Sequence, residues 1–237
     1  MDMSERGWAL ADDGGAITIS VQDERPHDFD RGMKPLTLGR ELASAWAIAV
    51  SYPLECLVFL QVPRRFVQAQ DAVILVHGRG GDRTNLLTLS LLLRMAGFDN
   101  LGFFSYPRRQ SVEISVAQLV EMAAQADGGA GVHFIGHSLG GTIARGAVAQ
   151  SENGRTRSLV TLAAPYSTHQ QSPREVAIFG TDDPIVTPPA GPTFPDGMYK
   201  RLVVLRNTGH LGVLHHEEAI RITLGELIAN RHRPLFE

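Results

Sequence analysis

Residues 131–141 are Gly131-Val-His-Phe-Ile-Gly-His-Ser-Leu-Gly-Gly141, and this stretch decides the fold. An apolar run of strand length ends at Gly136, Ser138 follows two residues later, and helical spacing begins at Gly140. In a strand-to-helix turn this sharp, small residues two positions before and after the serine let neighbouring backbone pass close by. The serine hydroxyl is then held at the carboxyl end of the strand, beside the free amides of the helix N-terminus. This placement predicts that Ser138 is a nucleophile in acyl transfer.

From residue 71 onward, apolar runs of strand length alternate with stretches of helical spacing, which is typical of βαβ units around a mainly parallel sheet. Runs that are apolar at every position, such as 72–76, are expected where helices cover both faces of the sheet. The sequence therefore predicts the α/β class, with a mainly parallel central sheet and helices on both faces. The predicted strands are 72–76, 101–106, 131–136, 158–163, 175–179 and 201–206, and the predicted helices are 84–96, 112–126, 140–150 and 215–230.

The first 70 residues do not follow this alternation. A polar segment, in which 16–21 alone alternates like a strand, leads into a more apolar stretch. We predict an N-terminal arm over 1–70 and a catalytic domain over 71–237. Within the arm we expect a helix over 41–52 that ends at Pro53, because proline lacks the N–H that a helix interior needs.

The composition excludes several classes of protein. A length of 237 residues with 43% hydrophobic and 20% charged residues is ordinary for a globular chain. The net charge of −3 gives no electrostatic basis for binding nucleic acid. The single Cys56 cannot form an internal disulfide and the N-terminus lacks the pattern of a signal peptide, so we expect a cytoplasmic protein. Residues 42–62 are too interrupted for a membrane span and are instead the candidate for peripheral contact with a membrane.

A serine hydroxyl needs a base to become a nucleophile, and the base needs an acid that fixes its tautomer. Candidates for both follow predicted strands later in the chain: Asp182 and Asp183 come after the fifth strand, and His210 comes after the sixth. Because the carboxyl ends of parallel strands meet at one edge of a sheet, we expect these groups to converge on Ser138. The residues alone leave either aspartate open as the acid.

Acyl transfer also needs two N–H groups directed at the developing oxyanion. The amide of Leu139, directly after the nucleophile, is one candidate. The amide of Arg79 is the other, because His77 and Gly78 lead into a glycine-rich turn after the first predicted strand.

His215 and His216 have no second ligand pair at metal spacing. We therefore expect neither a metal nor a cofactor.

Taken in order, these motifs resemble the α/β-hydrolase superfamily and, in detail, the minimal bacterial lipases of the lipase class 2 group. The resemblance implies an α/β-hydrolase fold with little or no cap, since only 166–174 are available between two strands. It also implies Asp183 as the acid rather than Asp182, because Asp183 precedes the Pro-Ile-Val of the family's pattern. The matching segments are 77–81, 137–141, 159–165, 183–186 and 209–214.

The resulting functional prediction is a serine carboxylic ester hydrolase, an esterase or lipase. It would cleave a small-molecule acyl ester through an acyl-enzyme intermediate on Ser138, with His210 as base and Asp183 as acid. Two alternatives stay open: a thioesterase or acyltransferase on the same triad, and a non-catalytic, membrane-associated scaffold with a hydrolase fold. Arg79 stands where the family commonly has an apolar residue, and we hypothesise that its side chain engages a carboxylate or phosphate of the substrate.

Overall fold

The computed structural model describes residues 35–59, 66–67, 69–151, 155–165, 172–188 and 199–231. The predicted polar segment with its candidate strand 16–21 lies outside these ranges, as does most of the short connection 166–174. Within the described residues, six strands form one parallel sheet in the order β2-β1-β3-β4-β5-β6. The strands are β1 (Ala72–Val76), β2 (Leu101–Phe104), β3 (Val132–His137), β4 (Thr156–Leu162), β5 (Ser172–Gly180) and β6 (Tyr199–Leu205). The parallel sheet confirms the predicted fold class.

Helices cover both faces of this sheet. On one face, α2 and α5 pack against alternate strand residues that include Val73 and Leu75. On the other face, α3 and α4 pack against the residues between them, which include Ile74 and Val76. Strand β1 is apolar throughout because each of its faces meets a different pair of helices. The helices are α1 (Pro35–Phe59), α2 (Leu87–Met95), α3 (Val112–Ala126), α4 (Leu139–Gln150) and α5 (Glu217–Asn230), with 3₁₀ turns at Arg83–Leu86 and Gly212–Leu214.

The strand order creates the place for a site. The chain leaves β1 through α2 on one face of the sheet, and it leaves the neighbouring strand β3 through α4 on the other face. Two adjacent strands whose connections diverge in this way leave a crevice at their carboxyl ends, where open α/β sheets bind ligands. Gly78 and Ser138 follow β1 and β3 and therefore lie at this crevice.

Helix α1 is longer than predicted. The sequence-based expectation was a helix over 41–52, whereas α1 begins at Pro35 and ends at Phe59. Proline is favoured in the first helical turn because its missing N–H has no intrahelical partner there. The prediction that Pro53 ends the helix is wrong: a proline in a helix interior costs about 3 kcal/mol, and 25 residues of continuous helix tolerate that loss.

Helix α1 has a buried side and an exposed side. Thr37 and Ser44 are buried, and Ile48 packs on the core shared with α2 and α5. Leu42 and Trp46 point away, with 63% and 70% of their surface exposed. No helix among the described residues combines the length and the apolarity that a bilayer span requires. Peripheral contact of 42–62 with a membrane stays a prediction.

A buried ion pair joins α4 to the sheet. The Arg145 guanidinium donates through two nitrogens to the two carboxylate oxygens of Glu175, each at 2.7 Å, and both side chains are almost fully buried. The Thr161 hydroxyl donates to the same carboxylate at 2.5 Å, and Arg145 also reaches the Pro165 carbonyl at 3.0 Å. Two charges in low dielectric are tolerated only when their hydrogen bonds are satisfied in this way. The network therefore fixes α4, which begins directly after Ser138, on β4 and β5.

We predict that Glu175→Gln destabilises the fold by about 3 kcal/mol, because it leaves the Arg145 guanidinium buried without its counter-charge. Urea unfolding followed by circular dichroism measures the loss. The matched control is Glu218→Gln, which removes the same charge from an exposed pair with Arg221 and should change the unfolding midpoint far less. Equal effects of the two substitutions would contradict the importance of the buried network.

Candidate active site

Ser138 lies in a strained turn between β3 and α4. Its backbone has φ 53° and ψ −126°, a conformation that costs a non-glycine residue on the order of 1–3 kcal/mol. The turn is held by hydrogen bonds from the Ser138 amide to the Leu162 carbonyl and from the Gly141 amide to the Ser138 carbonyl, both 2.9 Å. A methyl group at Gly136 would lie 2.5 Å from the Gly141 Cα, and one at Gly140 would collide with carbonyl oxygens at the end of β1. Both glycines are therefore sterically required, as the sequence predicts.

Asp183 and His210 are joined by a hydrogen bond. The His210 Nδ1–H donates to Asp183 Oδ2 at 2.8 Å, and both residues are buried. The other oxygen of the same carboxylate accepts from the amides of Ile185 and Val186, at 2.8 and 2.9 Å. These bonds fix the carboxylate, and the carboxylate fixes the tautomer of the imidazole. The Nε2 of a neutral His210 is then left with a free lone pair, which is the form that a general base needs.

Asp182 has different partners from its neighbour. It accepts hydrogen bonds from the hydroxyls of Thr37 and Thr181, the latter at 2.8 Å, and its amide donates to the Thr208 carbonyl at 3.1 Å. The residues alone left either aspartate open as the acid. The structure brings Asp183 to His210 and turns Asp182 toward α1.

His137 links the serine turn to the histidine loop. Its Nε2–H donates to the His210 carbonyl at 3.0 Å, and the two rings lie 4.9 Å apart, tilted by 50°. On its other side, a methyl group at Gly78 would lie 2.9 Å from His137 Nδ1 and 3.0 Å from Ser138 Cβ. The structure thus brings together Ser138, the loop of His210 and the loop after β1, as expected from the strand order.

Near neutral pH the imidazole of His137 is uncharged in the folded protein. Burial, together with the nearby His210, lowers the pKa of His137 to about 4. A neutral ring with its proton on Nε2 can donate to the His210 carbonyl while adding no positive charge beside the site. His137 therefore supports the backbone at His210 through a hydrogen bond rather than through charge.

The glycine-rich loop after β1 forms a tight turn beside Ser138. The Gly81 amide donates to the Gly78 carbonyl at 3.2 Å, and Gly80 has φ 75°. This is the geometry of a type II turn, in which the third residue needs a positive φ and is usually glycine. Arg79, the predicted source of one oxyanion amide, is the second residue of the turn. The other predicted source, Leu139, is the first residue of α4, where amides have no intrahelical acceptor.

Tyr106 packs against this loop and forms a hydrogen bond with it. Its ring stacks on the His77 ring at 4.6 Å with the planes 5° apart, and its hydroxyl donates to the His77 carbonyl at 2.8 Å. Burial raises the pKa of Tyr106 to about 12, against the opposing effect of the Arg79 charge. The phenol therefore stays protonated and remains a hydrogen-bond donor. The His77 Nδ1–H donates in turn to the Gly78 carbonyl at 2.9 Å.

Several of these contacts were not predicted from the sequence. Tyr106 follows β2 in a stretch without a recognised motif. Glu41 of α1 accepts hydrogen bonds from the amides of Leu211 and Gly212, directly after His210. One signal in the sequence could have indicated the contact of Glu41: Arg40 and Glu41 are the only charged residues within 35–54, an otherwise apolar and polar-neutral stretch.

Within the described ranges, no group of three or more His, Cys, Asp or Glu side chains is arranged to hold a metal ion.

Comparison with solved structures supports the fold. A membrane phospholipase A described as a bacterial virulence factor aligns with a TM-score of 0.53 at 16% identity, covering 84% of this chain and 98% of its own. Esterase PE8 aligns with a TM-score of 0.53 at 16% identity, covering 71% and 96%. An esterase from Thermogutta terrifontis aligns with a TM-score of 0.51 at 15% identity, covering 70% and 92%. A search of curated proteins finds no match.

The fold and the geometry at its sheet edge define an α/β hydrolase. A family model described as palmitoyl protein thioesterase matches residues 72–203, from the start of β1 into β6 and more than half of the chain. The chain therefore belongs to the palmitoyl protein thioesterase family. The α/β-hydrolase superfamily expected from the motifs is confirmed, and the matching family is named for thioester rather than lipid-ester chemistry.

The buried histidines predict how stability depends on pH. Burial lowers the pKa of His133 and of His137 from 6.5 to about 4. Between these values the unfolded chain binds protons that the folded protein does not. The free energy of unfolding should therefore fall as the pH drops below 6.5, by about 2 kcal/mol for each histidine at about pH 5, with no contribution from either above that range.

Urea unfolding at a series of pH values measures this slope. His133, which bonds only to Ser158 in the described core, is the residue to change, since it is remote from the serine turn. His133→Gln should remove its own share of the slope, about 2 kcal/mol between pH 6.5 and 5. A variant with the full wild-type slope would show that the His133 pKa is not depressed.

Proposed function

We propose that this protein is a serine hydrolase that cleaves acyl esters through a covalent acyl-enzyme on Ser138. The observation that carries the proposal is the hydrogen bond from His210 Nδ1 to Asp183, at the same sheet edge as the strained Ser138. A carboxylate fixed by two amides, an oriented imidazole and a serine on a sharp turn together form the arrangement that activates a serine hydroxyl.

In the first half of the reaction, His210 Nε2 takes the proton of the Ser138 hydroxyl as Oγ attacks the acyl carbon. The oxyanion that forms is stabilised by backbone N–H groups, for which Arg79 and Leu139 are the candidates. The tetrahedral intermediate collapses, the bond to the leaving group breaks, and the imidazolium returns its proton to that group. In the second half, water attacks the acyl-enzyme as His210 accepts a proton from it, and His210 then gives that proton to Ser138 Oγ as the bond to the acyl group breaks and the carboxylic acid leaves.

Thioester hydrolysis is the second candidate, and the family match favours it. A thiol has a pKa of about 8.5, far below that of an aliphatic alcohol, so a thiolate can leave without first taking a proton from His210. The same three residues therefore act on both substrate types. The two candidates differ in how strongly turnover depends on protonation of the leaving group.

The first test is hydrolysis of a panel of p-nitrophenyl esters across acyl chain lengths. Ser138→Ala should reduce kcat by about 10⁴-fold or more, because the residual rate comes only from binding and the oxyanion groups. Asp183→Asn should lose about 10³-fold or more, since the amide favours the wrong imidazole tautomer. Its matched control is Asp182→Asn, which changes the adjacent carboxylate and should lose no more than about tenfold. Equal losses at the two aspartates, or full activity in Ser138→Ala, would contradict the assignment.

The second test compares an aliphatic ester with a thioester of the same acyl chain. Hydrolysis of both, with the thioester preferred, would identify a thioesterase; preference for the ester would identify an esterase or lipase. Product analysis in the presence of an added alcohol or thiol distinguishes hydrolysis from acyl transfer. A wild-type protein that turns over no ester or thioester would support a non-catalytic scaffold instead.

Arg79 gives a prediction about substrate charge. Its side chain is exposed at the oxyanion turn, and a methyl group at Gly80 would lie 2.6 Å from a guanidinium nitrogen of Arg108. Two cations therefore border the turn. Arg79→Leu should lower kcat/KM for esters with a carboxylate or phosphate by about tenfold, the value of one charge-assisted hydrogen bond, and leave neutral esters unchanged. Arg79→Lys, which keeps the charge, is the control; an unaltered preference in Arg79→Leu would refute contact with the anionic group.

A further inference from the structure

The first turns of α1 contact the loop that carries His210. The Glu41 carboxylate accepts the Leu211 amide at 2.9 Å and the Gly212 amide at 2.5 Å. These are the two amides directly after His210. Methyl groups at Gly209 or Gly212 would lie 2.7 Å from the Glu41 carboxylate, so glycine at both positions allows this approach. The backbone of the loop thus packs closely against the Glu41 carboxylate and bonds to both of its oxygens.

The same part of α1 contacts the loop of Asp183. The Thr37 hydroxyl donates to the carboxylate of Asp182, the residue before Asp183. Between these contacts, Arg40 donates to the Asn207 carbonyl at 2.9 Å, at the start of the histidine loop. Three residues within 37–41 of one helix therefore bond to the two loops that carry the proposed acid and base.

We propose that Glu41 is a positioning residue for His210, with Thr37 as the second anchor of α1. The inference rests on the proposed hydrolase function and extends it to a helix outside the matched family region. The hydrogen bonds of Glu41 go to the backbone of the loop, at Leu211 and Gly212, and not to the imidazole. Glu41 acts by fixing the backbone from which the imidazole projects.

The physical reason is that the loop of His210 lies between secondary structure elements. It leaves β6 through Asn207, which has φ 49°, and enters a 3₁₀ turn at Gly212–Leu214. The Leu211 and Gly212 amides stand at the N-terminus of that turn, where N–H groups have no acceptor within the turn. Hydrogen bonds from amides to an ionised carboxylate are about twice as strong as neutral ones. Glu41 therefore supplies the hydrogen-bond acceptor that these two amides do not have within the turn.

The experiment compares wild type, Glu41→Gln and Glu121→Gln. Glutamine keeps the shape of Glu41 but turns an N–H₂ group toward one of the two amides. Glu121→Gln removes the same charge from an exposed position on α3, on the opposite face of the sheet. Active sites are counted by complete titration with a fluorophosphonate, so that each turnover number refers to competent sites and a misfolded fraction does not affect it.

We expect kcat per titrated site to fall by about 10- to 100-fold in Glu41→Gln, the usual effect of misplacing a reacting group by about 1 Å, while KM changes less than about threefold. Because the defect lies in the base, the factor should be the same for short and long acyl chains. Glu121→Gln should match wild type.

A kcat per site equal to wild type overturns the proposal. So does a rise in KM that grows with acyl chain length, because that pattern would make α1 a cover of the acyl pocket. An inactive wild type contradicts the proposed hydrolase function, whereas an active wild type with an unimpaired Glu41→Gln contradicts only the role of Glu41.

Thr37→Val is the second variant, and it keeps the proposal testable should Glu41→Gln fail to fold. Valine preserves the shape of the buried threonine and removes the hydroxyl that bonds to Asp182. The expected loss in kcat per site is about three- to tenfold at constant KM, and no loss overturns the anchoring role of α1. In both variants, the low-field proton resonance of the His210–Asp183 hydrogen bond should shift or broaden; an unchanged resonance together with wild-type kcat excludes a positioning role.

Discussion

The hydrogen bond between His210 Nδ1 and Asp183 is the interaction on which the account of this molecule depends. It is only as well defined as the two loops that carry its partners, and those loops follow adjacent strands, β5 and β6. The amides of Ile185 and Val186 fix the carboxylate. The His137 ring fixes the His210 carbonyl, and Glu41 fixes the two amides that follow. Three separate parts of the chain, the 183–186 loop, His137 and Glu41, thus determine where one imidazole lies.

The rest of the fold holds a strained serine at the same sheet edge as that imidazole. The unfavourable backbone of Ser138 persists because its surroundings over-determine it: glycines at positions 136 and 140 admit neighbouring backbone, and the amide of Ser138 is bonded to β4. Helix α4 is fixed in turn by the buried Arg145–Glu175 pair. Its N-terminus therefore stays in place, and amides there keep a constant direction toward any charge that forms at the serine.

Sequence reasoning predicted what depends on local pattern. Strand β1 and helix α3 have the predicted bounds, because a continuous apolar run and a helical spacing are readable within one segment. The strand-to-helix turn around Ser138 was also predicted, because its motif lies within one short segment. Sequence reasoning did not predict contacts between residues that are far apart in the chain. The hydrogen bond between Glu41 and Leu211 joins residues 170 positions apart, and the one between Thr37 and Asp182 joins residues 145 positions apart. The predicted division into an arm over 1–70 and a catalytic domain stays a prediction, although α1 bonds to the loops of the proposed site. The continuation of α1 beyond Pro53 was not predicted, because the general rule that a proline ends a helix does not hold in this 25-residue helix.

The central claim is that His210 and Asp183 activate the hydroxyl of Ser138 above all others in the chain. Reaction with a fluorophosphonate, followed by intact mass measurement and peptide mapping, tests it most directly, because the reagent labels only activated serines and needs no knowledge of the substrate. The account predicts one adduct per chain, located on Ser138, and a greatly slowed reaction when His210 is replaced by alanine. Absence of an adduct, labelling of another serine, or labelling of Ser138 that does not depend on His210 would contradict it.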